Sequence, residues 1–395
     1  MFEPAKRMTE LRILSVCTNY PSRNHPTLGL FVQRRLAAMS KIAEIRVLVP
    51  KPVFPVLKPW INDLSLEEEK YLVDIRRMFY IPRIANQLNG MWMDHCVESW
   101  ISMMPNLLYE NIVFDAHFGF PEGVGVWRVA QRRKLPFFIT LRGLETDLFK
   151  VKSIRNQLVQ ALKSATGVIA VSESLKDTAV ENGISESKIR VIGNGVDNTT
   201  FCPGSRTQSR SKLGIKESAK LIVSVGTIRQ LKGFDILLKA VEHFQDDSDF
   251  RCVILGKVME KSFHRMLLDR IAALGMETRI ELVGPKPSTE VVDWLRAADM
   301  FVLPTRREGC CNAVLEALST GVPVITTPAG DNKKFIANGN NGFIVPHDAP
   351  GLLFDAIEQS WNYPWNPQSI SESVRPYTWD GTARKAIDYF IEQLS

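Results

Sequence analysis

The chain has 395 residues, too many for one ordinary hydrophobic core, and this length predicts two domains of about 200 residues each. Apolar residues make up 45% and charged residues 23% of the sequence, as in a folded soluble protein. No apolar run approaches the roughly 20 residues of a membrane helix. The net charge of +6 is modest, and no nucleic-acid-reading motif accompanies it. These features argue against a membrane-spanning protein and against a nucleic-acid-binding one.

The six cysteines show neither a Cys-x-x-Cys pair nor the spacing of metal ligands, which predicts reduced thiols and no bound metal. The N-terminal segment lacks the continuous apolar core of a signal peptide, so we expect a cytoplasmic protein. Basic clusters at Arg76-Arg77 and Arg132-Arg133-Lys134 favour a solvated helix face. The alternative is peripheral contact with anionic headgroups at the inner face of the cell membrane.

Strand and helix signals alternate along the chain, which predicts α/β architecture with parallel sheets covered by helices. In the first half, strands are predicted at 12–17, 45–49, 113–117, 136–141, 167–171 and 188–192, and a helix at 30–40. A proline-rich stretch at 50–59 is expected to leave the sheet. Residues 84–110 are predicted to be helical, and their Met and Trp side chains favour packing between helix and sheet over an exposed acceptor or membrane surface.

Polar residues follow several predicted strands of the first half, at the sheet edge where open α/β sheets bind ligands. His117 ends one strand, and Arg142 follows the next. Taken singly, such a histidine is more often a half-buried core residue and such an arginine a surface cation. Their shared position favours a functional site. No G-x-G-x-x-G follows either first strand, which disfavours a dehydrogenase.

A polar segment at 203–214 is typical of a linker between domains, and a second alternating half follows it. Strands are predicted at 220–225, 252–256, 280–283 and 299–303, and helices from Phe234, up to about 274, at 288–297, 350–359 and 377–394. Asp247-Ser248-Asp249 matches the D-x-D metal motif, but it precedes a strand at the sheet end opposite the ligand edge. A loop is therefore favoured there.

The most informative stretch is residues 304–325, PTRREGCCNAVLEALSTGVPVI. Glu308 lies in a loop after a short apolar strand, and Glu316 lies eight residues later on a helix that is predicted to begin near Asn312 as its N-cap. Free N–H groups of residues 312–315 would attract phosphate, while the two ionised acids would accept from neutral hydroxyls. This combination suits a nucleotide sugar. Two ordinary surface glutamates are the alternative.

The sequence from Glu308-Gly309 to Glu316, followed by Gly321-Val322-Pro323-Val324, resembles the E-x7-E motif of retaining family-four glycosyltransferases. The resemblance implies GT-B architecture, in which two Rossmann-like domains face each other across a cleft. It implies that Glu308 contacts the donor sugar and Glu316 the ribose. Backbone N–H groups of the intervening loop would hold the diphosphate, namely those of Gly309, Cys310, Cys311, Asn312 and Ala313. The Cys310-Cys311 pair departs from the Phe-Gly that many members carry.

The loop from Gly226 to Gly233 resembles the family segment G-R-L-x-x-x-K-G, whose Arg and Lys clamp the donor diphosphate. Lys232 matches the family lysine. Thr227 stands where the arginine is usual, and Arg229, two residues later, is expected to replace it. A departing nucleoside diphosphate accumulates negative charge, so the chemistry requires such cations.

Other segments of the resemblance are less specific. Residues 117–123, HFGFPEG, resemble an acceptor-side loop, and residues 140–143 resemble a T-x-H-G or T-x-R-G segment in which many relatives carry His instead of Arg142. The resemblance assigns His117, Arg142 and Glu145 to the acceptor side, Val283 and Gly284 to the nucleobase pocket, and Gly29 to close approach of the backbone to the donor.

The resemblance implies retaining, metal-independent transfer of a hexose from a UDP or GDP sugar to a hydroxyl of a glycan or lipid-linked saccharide in cell-surface polysaccharide assembly. No cofactor is expected. Glu308, Lys232, Arg229 and His117 would be the catalytic residues. Residues 1–203, rejoined by the helix at 376–395, would form the acceptor-side domain, and 204–375 the donor domain. A nucleotide-sugar epimerase of the same architecture and a non-catalytic scaffold at the membrane surface remain alternatives.

Overall fold

The computed structural model describes residues 11–23, 25, 27–53, 71–80, 85–104 and 111–395. The chain divides into two compact units. The first contains residues up to Asn194 together with Trp379–Ser395, and the second contains Gly195–Thr378. The boundaries expected after residues 203 and 375 thus lie after residues 194 and 378.

Over the described residues, the first unit contains a parallel sheet of seven strands in the order β3-β2-β1-β4-β5-β6-β7. Its strands are β1 Arg12–Val16, β2 Glu44–Val53, β3 Leu72–Phe79, β4 Ile112–His117, β5 Phe137–Leu141, β6 Gly167–Ala170 and β7 Ile189–Val191. The strand order reverses between β1 and β4, and ligands bind open α/β sheets at the carboxyl ends of strands beside such a reversal.

The prediction that the chain leaves the sheet at Pro50 is wrong, because β2 continues to Val53 and pairs with β3, which the sequence analysis missed. On its other side β2 pairs with β1 only up to Leu48. Pro50 and Pro52 therefore lie where the strand has one neighbour, and proline is tolerated at such an edge. The rest of the predicted proline-rich excursion, residues 54–59, lies outside the described residues.

Among its described residues, the first unit contains the helices Leu30–Met39, Asn89–Ser102, Val124–Arg133, Glu145–Leu148, Lys152–Ser164, Glu173–Glu181 and Trp379–Leu394. In the Met- and Trp-rich helix, Met93 and Trp100 are buried, and the Trp100 indole N–H donates to Asp74 at 2.8 Å, so these side chains pack inward. Met91 is 41% exposed on the same helix. Residues 105–110 of the predicted helical region lie outside the described residues. The last helix packs its Phe390 ring 4.2 Å from that of Phe138.

The second unit has a parallel sheet of six strands in the order β10-β9-β8-β11-β12-β13. Its strands are β8 Lys220–Val225, β9 Phe250–Leu255, β10 Ile280–Gly284, β11 Met300–Leu303, β12 Val324–Thr326 and β13 Gly342–Ile344. Its helices are Arg206–Leu213, Phe234–Val241, Lys261–Ala273, Ser288–Ala297, Asn312–Ser319, Asn332–Phe335, Pro350–Trp361 and Pro367–Ser373. Asp247 lies in the turn before β9 and pairs with Lys220 at 2.8 Å. Within the described part of the chain, no helix is long and apolar enough to cross a membrane.

The polar segment predicted as a linker is a helix, Arg206–Leu213, capped by the Ser205 hydroxyl at one end and by Gly214 at the other. Its composition is misleading because one of its charged residues is a core residue. The Arg210 side chain is fully buried and donates to three backbone carbonyls and to Asp299. A buried guanidinium with this many acceptors anchors the helix to the sheet.

Candidate active site

Lys232 and Glu308 meet at the carboxyl edge of the second sheet. Lys232 ends a short turn, Gln230–Lys232, after β8, and Glu308 lies in the loop after β11. The Lys232 Nζ lies 2.5 Å from Glu308 Oε1, and the two side chains are only 18% and 9% exposed. Burial lowers the pKa of the Lys232 ammonium, but the Glu308 carboxylate outweighs burial, so the pKa is raised above its ordinary value. The lysine is therefore a permanent cation at neutral pH.

Gly233 holds the Lys232 loop against the loop that leads to Glu308. Its φ of 70° lies in the left-handed region, and a Cβ at this position would collide with the carbonyl oxygen of Pro304. Only glycine satisfies both conditions without moving the backbone. The glycine after the lysine thus lets two loops that are distant in the sequence, those around Gly233 and Pro304, lie in direct contact.

The helix predicted near Asn312 begins there, but its N-cap is Cys311, so Asn312 is the first helical residue. The expectation that the N–H groups of residues 312–315 are all free is wrong. The N–H groups of Asn312, Val314 and Leu315 donate to carbonyl oxygens of Cys310 and Cys311, because the chain tightens into a turn as it enters the helix. Cys311 follows Glu308 by only three residues, so the Lys232–Glu308 pair lies close to this helix start.

The other residues assigned to donor binding also lie in loops and strand ends at the carboxyl edge of this sheet. Gly226 and Thr227 follow β8, Val283 and Gly284 end β10, and Gly309, Cys310 and Ala313 flank the helix start. Glu316, on the next turn of that helix, is half-buried. The Arg229 charge acts on Lys232, and among the described residues the buried Arg229 Nε has no hydrogen-bond partner. The second unit therefore brings the predicted cations and acids to one edge.

A second polar cluster lies at the carboxyl ends of β4 and β5 in the first unit. The Arg142 Nη2 and Nε lie 2.9 and 3.3 Å from His117 Nδ1. Because arginine only donates, Nδ1 accepts, and the proton of the neutral ring is on Nε2, which lies 3.2 Å from Asp115 Oδ2. Burial and the positive charges of Arg142 and Arg35 lower the pKa of His117 well below its ordinary value. The ring is therefore neutral.

His117 was expected to be catalytic, but its position does not suit proton transfer to a substrate. Its side chain is fully buried, and both ring nitrogens face other side chains. The arrangement instead lets His117 fix the position of the Arg142 side chain. The Arg142 Nη1 also donates to Asn194 at 3.2 Å, and the guanidinium lies 5.1 Å from the ring centroid of Phe31. Burial is the main cause that lowers the pKa of Arg142, to about 9.

Glu145 was expected on the acceptor side, but it is fully buried and its carboxylate accepts from backbone N–H groups. Oε1 accepts from Gly119 at 2.9 Å, and Oε2 accepts from Arg142 at 3.0 Å and Gly143 at 2.8 Å. These three bonds join the loops that follow β4 and β5. The residue therefore maintains the backbone around Arg142.

Gly29 was expected to let the backbone approach the donor. In the structure its φ is 69°, and a Cβ there would collide with the carbonyl oxygen of Asn19. Glycine is thus required within the first unit itself, where the loop after β1 closes onto the start of the helix Leu30–Met39. The need for glycine at position 29 is therefore explained by the packing of this loop, with no contact to a donor required.

Arg35 was not predicted from the sequence as a site residue. It is 1% exposed, and among the described residues its three guanidinium nitrogens have no hydrogen-bond partner. Its charge acts on Asp115, His117 and Arg142, so it belongs to the same cluster. Its position could have identified it, because Arg35 shares the apolar helix face of Val32 and Met39 at helical spacing.

Glu122 was also missed, although it lies in the segment HFGFPEG. Its Oε1 accepts from the Thr18 N–H at 3.0 Å and from the Thr18 hydroxyl, and its side chain is buried. Burial raises the pKa of Glu122 to about 7 from an ordinary 4.5. The folded protein thus holds a proton that the unfolded chain loses between these two pH values.

This proton predicts a pH-dependent stability. The stabilisation is complete below about pH 4.5 and is lost as the pH rises to about 7, amounting to about 3 kcal/mol in the free energy of unfolding. Glu122→Gln should remove this pH dependence. The free energy of unfolding of the variant should therefore increase relative to that of the wild type as the pH rises from 5 to 8. Urea unfolding at both pH values measures the difference. An equal pH dependence in the two proteins would contradict the assignment.

Two family models match the chain. The model described as Glycosyltransferase Family 4 matches residues 68–200, and the model described as Glycosyl transferases group 1 matches residues 205–375. A Bacillus subtilis protein named for glycosyltransfer in teichuronic acid biosynthesis is 27% identical over 98% of this chain and 99% of its own. A D-inositol 3-phosphate glycosyltransferase of Corynebacterium urealyticum is 29% identical over 58% of each chain.

Solved structures share the fold over nearly the whole length. A sucrose-phosphate synthase from Thermosynechococcus elongatus aligns with a TM-score of 0.81 at 16% identity, covering 98% of this chain and 99% of its own. The Anabaena protein HepE, in complex with UDP and glucose, aligns with a TM-score of 0.77 at 17% identity, covering 97% and 100%. Two Rossmann-like units of this kind define the GT-B class of glycosyltransferases. Within that class, the chain belongs to the family-four-like glycosyltransferases, as the sequence motifs indicated.

Proposed function

We propose that this glycosyltransferase moves a hexose from a nucleoside diphosphate sugar to a hydroxyl of a glycan acceptor, with retention of the anomeric configuration. The observation that carries the proposal is the Lys232–Glu308 pair beside the start of the helix Asn312–Ser319. A cation and a carboxylate at one point match the two parts of such a donor, the anionic diphosphate and the neutral sugar hydroxyls.

The donor chemistry follows from these groups. Lys232 and Arg229 stabilise the charge that develops on the leaving diphosphate, together with N–H groups of the loop 309–313 other than that of Asn312, which donates to Cys310. Glu308 orients the sugar, Glu316 accepts from the ribose hydroxyls, and Val283 and Gly284 line the base. UDP is the favoured nucleotide, because the fold relative HepE has been solved with UDP and with UDP-glucose, and GDP is the second choice.

The transfer step needs no dedicated covalent nucleophile. The acceptor hydroxyl attacks from the face that the diphosphate leaves, and a donor phosphate oxygen takes the hydroxyl proton as the new glycosidic bond forms. The contribution of the protein is then orientation and charge stabilisation, without a metal or cofactor. Lys232 suits this role because its charge is permanent at neutral pH.

The acceptor is proposed to be a glycan or a lipid-linked saccharide in cell-surface polysaccharide assembly, handled at the cytoplasmic side of the membrane. The Bacillus relative named for teichuronic acid biosynthesis supports this class. On the acceptor side, Arg142 is the proposed binding group of the first unit, because contacts with His117, Asn194 and Phe31 fix the position of its guanidinium. A guanidinium fixed in this way suits an anionic group such as a phosphate.

The first test is nucleotide binding. UDP should raise the thermal midpoint of the protein, since a ligand at 100 times its Kd stabilises the folded state by about 2.7 kcal/mol. UMP should act more weakly, because it lacks the second phosphate that Lys232 would contact. The same thermal measurements with GDP and ADP rank the three nucleobases by the stabilisation that each nucleotide gives. A protein that none of these nucleoside diphosphates stabilises would contradict the proposal, and conversion of UDP-glucose to an isomeric nucleotide sugar without acceptor would favour an epimerase.

A further inference from the structure

Arg306 lies two residues before Glu308, and its side chain contacts three other segments of the second unit. Its Nη1 and Nη2 form a two-pronged ion pair with Asp235 at 2.9 and 2.8 Å, and its Nε donates to Asp348 at 2.7 Å. Its Nη1 also donates to the carbonyl oxygen of Gln230 at 2.6 Å. All three guanidinium nitrogens are thus used as donors.

These contacts join the two loops that carry the proposed donor-binding pair. Gln230 opens the short turn that ends at Lys232, and Asp235 lies in the first turn of the helix that follows it. The backbone makes the same connection, since the Arg306 N–H donates to the Leu231 carbonyl at 2.8 Å and the Thr305 hydroxyl donates to it at 3.0 Å. The loop after β8 and the loop after β11 are therefore bonded together on both sides of Lys232.

The geometry distinguishes this ion pair from an ordinary surface pair. The Arg306 and Asp235 side chains are only 22% and 21% exposed, and their two parallel bonds restrict the relative orientation of both groups. Single-pronged exposed pairs contribute little, because solvent screens them and long side chains lose entropy. The Arg306 guanidinium bonds to Asp235, Asp348 and Gln230. The neighbouring Lys232 and Glu308 pair with each other and not with Arg306.

We propose that Arg306 is a positioning residue of the transfer reaction, which sets the separation between Lys232 and Glu308 by bonding their loops together. This inference rests on the proposed function, in which Lys232 holds the diphosphate and Glu308 the sugar. Arg306 acts through its bonds to Asp235 and Gln230 and does not touch the donor. Its loss lets the Lys232 loop move relative to Glu308, so the diphosphate is bound less tightly.

The test is calorimetric titration of UDP and UMP, and of GDP and GMP, into the full-length wild type and variants. Arg306→Gln is expected to weaken diphosphate binding about tenfold and to leave monophosphate binding within about twofold, because only the diphosphate reaches Lys232. Asp235→Asn should act in the same direction, and the double variant should be no weaker than Arg306→Gln. Arg306→Lys should lie between wild type and Arg306→Gln, since an ammonium cannot span both Asp235 oxygens.

Arg270→Gln is the matched control, because Arg270 pairs with Glu242 in the same unit, away from these loops. Equal losses of UDP and UMP affinity, or losses no larger than that of the control, would overturn the role of Arg306. Should Arg306→Gln fail to fold, the comparison of Arg306→Lys and Asp235→Asn with the control decides the question. A wild type that binds neither UDP nor GDP overturns the proposed function as well, whereas a binding wild type with unaffected variants overturns this inference alone.

Discussion

Lys232→Ala is expected to lower kcat/KM for the nucleotide sugar by about 100- to 1000-fold, the usual effect of losing one group that stabilises developing charge. The Lys232 side chain is only 18% exposed where it pairs with Glu308, and its charge is permanent at neutral pH. Water cannot replace a fixed cation against a leaving diphosphate, because water must reorient as the charge develops. Release of the nucleoside diphosphate from the donor, followed with a coupled assay, measures the loss.

The substitution also leaves Glu308 without its cation, so a loss of folding must be separated from a loss of chemistry. The double variant Lys232→Ala with Glu308→Gln removes the stranded charge and should regain thermal stability without regaining activity. Lys212→Ala provides the control, since Lys212 pairs with Asp293 elsewhere in the same unit. Activity of Lys232→Ala within a few-fold of wild type would refute the role given to this lysine.

Glu145→Ala is expected to reduce the free energy of unfolding by about 3–5 kcal/mol, because three backbone N–H groups, two of them buried, lose their carboxylate acceptor at once. Those groups belong to Gly119, Arg142 and Gly143, and they join the loops after β4 and β5. Glu145→Gln should be less damaging, since its amide oxygen can still accept while its amide nitrogen faces a donor. Urea denaturation of the purified variants measures both.

Glu181→Ala is the comparison for this result, because Glu181 is an exposed glutamate at the end of a helix of the same unit. Its substitution should change stability by no more than about 0.5 kcal/mol. If Glu145→Ala were as mild as Glu181→Ala, the three backbone bonds would not stabilise the unit as argued. A severe loss would confirm that this carboxylate is structural, contrary to the acceptor-side role that its sequence position suggested.

Much of the fold could be predicted because its signals are local. Short apolar strands such as those ending at His117 and Leu303 predicted most elements of both sheets in chain order, but β3, β12 and β13 were not predicted. Predictions were wrong where the local composition disfavours the element that forms and tertiary contacts stabilise that element nonetheless. Prolines in β2 lie where that strand has one neighbour, and Arg210 turns a polar segment into an anchored helix.

The candidate site was predictable to a different extent in the two units. Lys232 and Glu308 were identified from motifs, and the structure brings them within 2.5 Å. For His117 and Glu145, position at a strand end suggested chemistry, whereas burial shows that they support Arg142 and its backbone. Polar residues occur at strand ends both to bind ligands and to support neighbouring loops. The sequence does not distinguish a side chain that faces a ligand from one that faces a neighbouring loop.

The α/β class, the two halves, and the loops that carry the proposed diphosphate cation and sugar acid could all be predicted from the amino-acid sequence. These features follow from alternation, propensity and short motifs, all of which act over a few residues. The pairing of polar side chains is visible only in the folded chain, where Arg306 bonds to Asp235, 71 residues earlier in the sequence. Such pairs depend on the order and register of distant strands, and no local pattern encodes that order.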